Sequence, residues 1–169
     1  MKLLRSELKS EFNKKIFDMS ARELPDRGTT FYDDHITCEL SVKVVQFGFQ
    51  LSGFIKTIVS YQCVRCLCYN PKELVLPIKL WLSSKEIPTE NDYQDIVHFP
   101  ENIDHVDLND MISDIIHLAE PMNPNCSDHC KGLCHNCGIN LNQSSCDCKI
   151  DNQDNQDNHD NPWDVLKQF

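Results

Sequence analysis

The chain has 169 residues, and 26 Asp and Glu against 16 Lys and Arg give it a formal net charge of −10. With 40% hydrophobic residues, 5 Gly and 8 Pro, this composition excludes collagen, a disordered polyelectrolyte and a membrane protein. The length fits one domain with a hydrophobic core and a small additional module, and a two-domain enzyme is not expected.

The N-terminal residues and the cysteines bear on the compartment. Charged residues such as Arg5, Glu7 and Lys9 interrupt the apolar stretch that a secretory signal needs. No apolar run approaches the roughly 20 residues that span a bilayer. We therefore expect a cytoplasmic protein without a membrane partner. In a reducing compartment, ten cysteines grouped at short spacings favour metal ligands or redox centres over disulfides.

Strand patterns follow a charged segment. Residues 1–30 have weak periodicity and are interpreted as an ordered or semi-ordered lead-in to an α+β core over residues 31–120. Residues 38–49 and 51–61 alternate apolar and polar side chains, which predicts two antiparallel strands with a tight connection near Gly48 or Gly53. Residues 73–83 keep a period of two and predict a third strand, in which Pro77 indicates an edge position or a bulge.

One helix is predicted over residues 107–119. Leu108, Ile112 and Ile115 fall on one face, and Asp107 or Asn109 can cap its N-terminus. Residues 121–150 then contain six cysteines and few apolar residues, so we interpret them as a cysteine-rich zinc module. A repetitive Asp, Asn and Gln tract at 151–161 is typical of a disordered linker, and residues 162–169 contain enough apolar side chains for a C-terminal docking segment.

Charge is distributed unevenly along the chain. No Lys or Arg lies between Lys85 and Lys131, where the residues are acidic. Ordinary solvated surfaces explain this pattern, but a basic sheet that contacts phosphates and an acidic flank that contacts a basic protein also fit. The candidate RNA or partner contacts are the basic residues of the predicted strands and their connection: Lys43, Lys56, Arg65, Lys72 and Lys79.

Cys63 and Cys66 form a Cys-x2-Cys pair after a strand. This spacing alone fits either a metal site or a redox pair. A thioredoxin-like pair opens a helix in a βαβ unit, whereas strand-like sequence lies on both sides here, so metal binding is favoured.

The C-terminal cysteines give the stronger signal. Cys134-x2-Cys137-Gly138 is typical of a zinc knuckle, because the glycine can take the positive φ that closes the turn. The favoured division places Cys63, Cys66, Cys126 and Cys130 at one site and Cys134, Cys137, Cys146 and Cys148 at a second. A rival division uses one zinc, bound by Cys134, Cys137 and two of Cys130, Cys146 and Cys148.

Other candidate ligands and metals stay open at this stage. His129 and His135 could each replace a thiolate, but they are expected to be exposed and not to bind metal. Cys38 and Cys68 are assigned to packing or partial exposure. A tetrahedral Cys₄ zinc site is closed and structural, so we expect two structural Zn²⁺ ions. An iron–sulfur cluster is an alternative, since thiolates accept both metals.

Catalytic motifs are absent from the sequence. It contains no Gly-rich phosphate loop, Gly-x-Ser-x-Gly, His-Glu-x-x-His or evident pair of catalytic carboxylates. We therefore expect a protein that is not an enzyme and has no small-molecule substrate. Two other classes remain: a thiol redox or iron–sulfur protein using Cys63 and Cys66, and a metal-storage or zinc-sensing protein.

Together these motifs resemble the YceD-like family, named for large ribosomal RNA subunit accumulation. The resemblance rests on four segments in order: Cys63-x-Arg-Cys66-Leu67, Leu118-Ala-Glu-Pro121-x-x-Pro124, the cysteine string from Cys130 to Cys148, and Asn161-Pro-Trp-x-x-Leu166. Departures from the family pattern are Glu120, the Asp-Asn-Gln insert and the lack of an Arg just after the terminal proline.

The resemblance implies a non-enzymatic factor for accumulation or processing of 23S-type ribosomal RNA in large-subunit assembly. Zinc would then be architectural. The expected partner is a large-subunit ribosomal precursor, contacted through its RNA, through a basic ribosomal protein, or through both. The expected fold is an antiparallel β-sheet with one main helix and a C-terminal zinc module.

Overall fold

The computed structural model of the chain describes residues 1–85 and 95–148. The predicted linker at 151–161 and the predicted docking segment at 162–169 lie outside these residues. Within them, the elements in chain order are β1 Lys2–Leu4, α1 Arg5–Lys9, β2 Phe12–Ser20, a 3₁₀ turn Ala21–Glu23, β3 Phe31–Val45, β4 Gly48–Gln62, β5 Tyr69–Ser83, β6 Asp95–His98, β7 His105–Asp107 and α2 Asn109–Leu118.

A five-stranded sheet in the order β2-β3-β4-β5-β6 dominates the structure, and β1 pairs with β7 in a separate ribbon. All pairs are antiparallel except β5 with β6, which is parallel. The expectation of a mainly antiparallel sheet with one main helix therefore holds in part, because the sheet is mixed and strands outweigh helices among the described residues.

The three central strands, β3, β4 and β5, each have 15 residues and form where the sequence alternates. In β4, the inward residues Leu51, Ile55 and Val59 are fully buried, while the even-numbered residues of the strand face the other side of the sheet. Pro77 pairs with Phe54 on β4, and β6 begins to pair only at Leu80. The side of Pro77 that faces away from β4 thus has no partner strand among the described residues. This position suits a proline, which has no backbone N–H to donate to a neighbouring strand.

The connection between β3 and β4 lies at residues 46–47, next to the predicted Gly48. Phe47 takes the positive φ of this turn, at 71°. Gly48 opens β4 directly against β5, where a Cβ atom would lie 1.8 Å from the carbonyl oxygen of Leu82. Only a residue without a side chain fits at that position.

Residues 1–30, expected as a lead-in, contribute to the core of the protein. β2 pairs along β3, and Leu3, Leu8 and Met19 belong to the same buried cluster as the central strands. The boundary at residue 30 therefore does not separate these residues from the core. The strand signal in β2 is weak because its pairing shifts between Phe12 and Lys15, which breaks the period of two.

Helix α2 confirms the helix predicted over residues 107–119, and its apolar face packs into the core of the sheet. Leu108, Ile112 and Ile116 are fully buried in the core, and Met111, Ile115 and Ala119 pack against it at the edge. The Asp107 carboxylate accepts a hydrogen bond from the Asn109 N–H at 3.0 Å, so it satisfies one free donor of the first turn. No helix in residues 1–85 and 95–148 is long and apolar enough to cross a membrane.

Candidate metal centres

Eight cysteines gather in two groups of four. The first cluster consists of Cys63, Cys66, Cys126 and Cys130, and the second cluster of Cys134, Cys137, Cys146 and Cys148. Within each cluster, the sulfur atoms all lie within 4.8 Å of one another. This is the division favoured by the sequence, and the rival one-site division would split thiols that the structure holds together.

Each cluster is built on the same backbone turn. In the first knuckle, residues 63–68, the Cys63 N–H donates to the Cys68 carbonyl and the Leu67 N–H donates to the Cys63 carbonyl, both at 2.9 Å. In the second knuckle, residues 134–139, the Cys134 N–H donates to the Ile139 carbonyl and the Gly138 N–H donates to the Cys134 carbonyl, both also at 2.9 Å. The Cys-x2-Cys spacing thus folds into one geometry twice, which points both sulfurs of each pair to the same side.

The first cluster joins the sheet to the cysteine-rich segment. Its knuckle connects β4 to β5, while its other two cysteines follow α2. The Sγ atoms of Cys63 and Cys130 are 3.8 Å apart, and those of Cys66 and Cys126 are 3.7 Å apart. All but Cys126 are buried.

Side chains outside the first cluster hold its second half in place. The Asn142 amide donates to the Cys130 sulfur at 3.3 Å, and its carbonyl oxygen accepts the Lys131 N–H at 2.8 Å. The Arg65 guanidinium donates to the Cys130 carbonyl at 3.4 Å. Donors that face a thiolate offset its negative charge and orient it.

The thiol pKa values in the two clusters follow from these turns. The backbone N–H of Cys66 lowers the pKa of Cys63 to about 6, and the backbone N–H of Cys137 does the same for Cys134. Neighbouring thiols have the opposite effect on Cys148, where Cys137 raises the pKa to about 12. Cys63 and Cys134 therefore ionise more readily than an ordinary thiol, and a bound metal ion would supply positive charge that stabilises the thiolates of each cluster.

The four cysteines of the second cluster lie within a segment of 15 residues and are more exposed than those of the first cluster. Cys137 is exposed, and the other three sulfurs are half-buried. An antiparallel bridge between Leu133 and Asn140 closes the hairpin that carries the first two thiols. Little apolar surface surrounds it, so packing alone contributes little to its stability.

The donor sets fit a tetrahedral metal ion. With Zn–S bonds of about 2.3 Å, the edge of a tetrahedral Cys₄ site is about 3.8 Å. The two closest sulfur pairs of the first cluster, at 3.8 and 3.7 Å, match that edge. The second cluster, whose sulfur atoms lie within 4.8 Å of one another, can also hold a metal ion.

The remaining Cys and His candidates lie outside both clusters. His129 and His135 are exposed, as predicted, and neither belongs to a cluster. Cys38 is fully buried in the sheet, where burial raises its pKa to about 11. Cys68 packs beside the first cluster and accepts a hydrogen bond from the Asn140 amide at 3.0 Å.

Sequence reasoning missed Asn140 and Asn142. Their amides reach Cys68 and Cys130, respectively, and Asn140 also accepts from the N–H and side-chain amide of Asn142 at 2.9 Å. An asparagine in a polar loop gives no spacing signal by itself, so only the folded hairpin reveals the contact.

The five basic candidates do not form one patch. Lys43, Lys56 and Lys79 share the outer face of the sheet, opposite the core. Arg65 lies in the first knuckle, and Lys72 lines a cleft of about 270 Å³ beside Cys63, Cys126 and Pro124. The predicted patch thus separates into a sheet group and a group at the first cluster.

Comparison with known proteins gives a consistent result. A family model described as large ribosomal RNA subunit accumulation protein YceD matches residues 51–169, which confirms the resemblance found in the sequence. A large ribosomal RNA subunit accumulation protein YCED homolog 1, chloroplastic, from Arabidopsis thaliana is 24% identical over 73% of this chain and 47% of its own length. The protein of the same description from Zea mays is 29% identical over 61% of this chain and 45% of its own length.

The chain thus spans less than half of the length of these curated relatives. No solved structure matches it.

Proposed function

This chain belongs to the YceD family of large ribosomal RNA subunit accumulation proteins, and we propose that it is a non-enzymatic zinc protein that supports accumulation of 23S-type ribosomal RNA. Family membership carries the ribosomal part of the proposal. The two four-thiol clusters carry the metal part, because a factor with closed Cys₄ sites needs metal for its architecture rather than for chemistry.

Zinc fits both clusters better than the redox alternative. A dithiol redox pair works through two sulfurs that oxidise to one disulfide. Here the Cys63 sulfur lies 3.8 Å from that of Cys130, and the Cys66 sulfur 3.7 Å from that of Cys126, so each knuckle thiol has a close neighbour from another segment. Four convergent thiolates leave no open position for a substrate. An iron–sulfur cluster is distinguished by its visible absorption.

The proposed partner is a precursor of the large ribosomal subunit. Phosphates or a basic ribosomal protein can supply the contact, because the chain offers both basic residues and a long acidic stretch. No small-molecule substrate and no membrane enters the proposal. Its place of action is the compartment in which the ribosomes that it serves are assembled, which we predict to be the cytoplasm.

Elemental analysis tests the metal part directly. Protein purified without added metal should contain two zinc ions per chain, and Cys63→Ser and Cys137→Ser should each contain about one. Cys38→Ala is the matched control, because this thiol is buried outside both clusters, and it should retain two. Iron, or no metal, would contradict the proposal.

Rescue of depleted cells tests the ribosomal part. Cells that lack the protein should show a reduced ratio of 23S-type to 16S-type ribosomal RNA, and the wild-type chain and Cys38→Ala should restore it. A variant with Cys63→Ser and Cys137→Ser combined should fail to do so. An unchanged ratio after depletion would refute the role in accumulation, whatever the metal content.

A further inference from the structure

The two knuckles differ in the residue that takes the positive φ of their shared turn. Each turn requires a residue with positive φ just after its second cysteine. The second knuckle places Gly138 there, at 70°, whereas the first knuckle places Leu67 there, at 58°. Glycine takes this conformation freely, while a leucine is strained by its Cβ atom. The first knuckle thus has a leucine at a position where glycine would form the same turn without strain.

Burial does not explain this leucine. Leu67 is 53% exposed, and it is accompanied by Val64 at 52% and Tyr69 at 63%. Gln62 links two of these residues, because its side chain donates to the Leu67 carbonyl and its backbone pairs with Tyr69 across β4 and β5. The Val64 N–H donates to the Pro124 carbonyl at 2.9 Å, which fixes the third. The knuckle surface, defined as Val64, Arg65, Leu67 and Tyr69, is therefore a fixed apolar and aromatic surface that faces solvent.

The charge around the knuckle surface differs from that of the whole chain. Residues 62–72 contain Arg65 and Lys72 and no Asp or Glu, and residues 129–146 contain Lys131 and no Asp or Glu. Gly132 lies against Arg65, where a Cβ atom would be 3.1 Å from the Arg65 carbonyl, so the second segment adjoins the knuckle. Arg65 thus belongs to the knuckle surface, Lys131 follows the cysteine whose carbonyl group accepts from the Arg65 guanidinium, and Lys72 lines the cleft beside Cys63, in a chain of net charge −10.

From this combination we infer that the knuckle surface binds unpaired RNA, with the Tyr69 ring stacked on a base and the Leu67 side chain packed beside it. The inference rests on the proposed function and names the RNA contact for it. An exposed aromatic ring with nearby cations is the usual platform for single-stranded nucleic acid. A basic ribosomal protein would instead be attracted to the acidic residues that the sequence concentrates between Lys85 and Lys131.

Electrostatics sets the character of this binding. Four thiolates around a divalent cation leave a charge of −2 behind the knuckle, which opposes phosphate binding, and Arg65, Lys72 and Lys131 offset it. Stacking should therefore contribute more than phosphate contacts. With at most three phosphates neutralised, the logarithm of the affinity should fall with the logarithm of salt concentration with a slope no steeper than about −2.

Binding of labelled 12-nucleotide adenosine and uridine homopolymers, followed by fluorescence anisotropy on the zinc-loaded full chain, tests the inference. Single strands should bind more tightly than a 12-base-pair RNA duplex. Tyr69→Ala should weaken binding about tenfold, within the range for loss of one stacked base. Leu67→Gly should also weaken it severalfold, and this variant keeps the fold because glycine suits the turn.

Two variants outside the knuckle surface and outside the candidate contacts are the matched controls, Tyr32→Ala and Lys9→Glu. Tyr32 is 62% exposed on β3 and Lys9 is exposed on α1, and neither variant should lose RNA affinity. Equal losses in the controls, or unchanged binding by both Tyr69→Ala and Leu67→Gly, would overturn the inference. Binding of a basic ribosomal protein at this surface in place of RNA would overturn it too.

The inference and the proposed function can fail separately. If wild-type protein restores ribosomal RNA in depleted cells but binds neither homopolymer, the assignment of the surface falls and the proposed function stands. If depletion leaves ribosomal RNA unchanged, the proposed function falls, and the homopolymer measurement still decides whether the surface binds RNA.

Discussion

The two cysteine clusters share a turn and differ in everything that surrounds it. The first cluster is mostly buried and joins segments 60 or more residues apart, whereas the second cluster is open to solvent and closes within 15 residues. The sheet supports the first cluster, because the first knuckle connects the end of β4 to the beginning of β5. The second has no such support. The comparison shows that one motif can be either a connection between parts of a fold or a small fold of its own.

The largest expected effect is the loss of a thiol from the first cluster. Cys66→Ser should lower the free energy of unfolding by about 4 kcal/mol or more, the level reached when a structural metal is lost, which corresponds to a melting temperature lower by roughly 8 to 16 °C. Cys137→Ser should shift the melting of the sheet by only a few degrees, because its cluster is not part of the core. Circular dichroism during heating measures both, and equal shifts would refute the contrast.

A smaller effect is expected from Asn142, which binds no metal itself. Asn142→Leu removes the donor to the Cys130 sulfur and should weaken metal binding at the first cluster about tenfold, as loss of such a supporting hydrogen bond does. Gln143→Leu, at the exposed neighbouring position, is the control. Competition with a chromophoric chelator gives the affinity of each site. A loss confined to the second cluster would contradict the contact.

Metal release should also separate the clusters in wild-type protein. Because the second cluster is exposed, a chelator should remove one equivalent of metal at least tenfold faster than the other. Alkylation followed by peptide mapping should then find Cys134, Cys137, Cys146 and Cys148 modified first. A single release phase, or early modification of Cys63, would show that the clusters open together.

The smallest expected effect concerns the strained turn. Leu67→Gly relieves a backbone conformation that costs a leucine roughly 1 to 2 kcal/mol. Glycine also gives the unfolded chain more conformational entropy, which cancels about half of this gain in stability. The variant should therefore be as stable as the wild type or more stable by up to about 1 kcal/mol. Urea unfolding measures this difference. A clear loss of stability would mean that the Leu67 side chain supports the fold.

Much of this architecture could be predicted from the sequence, for identifiable reasons. Most of the central strands could be predicted because their period of two is visible in the sequence, and the Cys-x2-Cys spacing encodes its own turn. The first residues of β3 could not be predicted, because its pairing with β4 shifts between Phe31 and Ile36. β2 could not be predicted, because Lys14 takes a positive φ of 52° within an irregular edge pairing. The contacts of Asn142 and the exposure of Leu67 depend on how distant segments meet, which no local pattern records.

The separation of Cys66 from Cys126 by 60 residues also has a consequence in time. A ribosome that adds about 5 to 20 residues per second needs roughly 3 to 12 seconds to synthesise the segment between them. During that interval Cys63 and Cys66 lack the thiols that complete their cluster, while the second cluster can close almost as soon as it emerges. A newly made chain therefore carries two waiting thiols, and the supply of metal and the redox state of the cell act on it before the fold is complete.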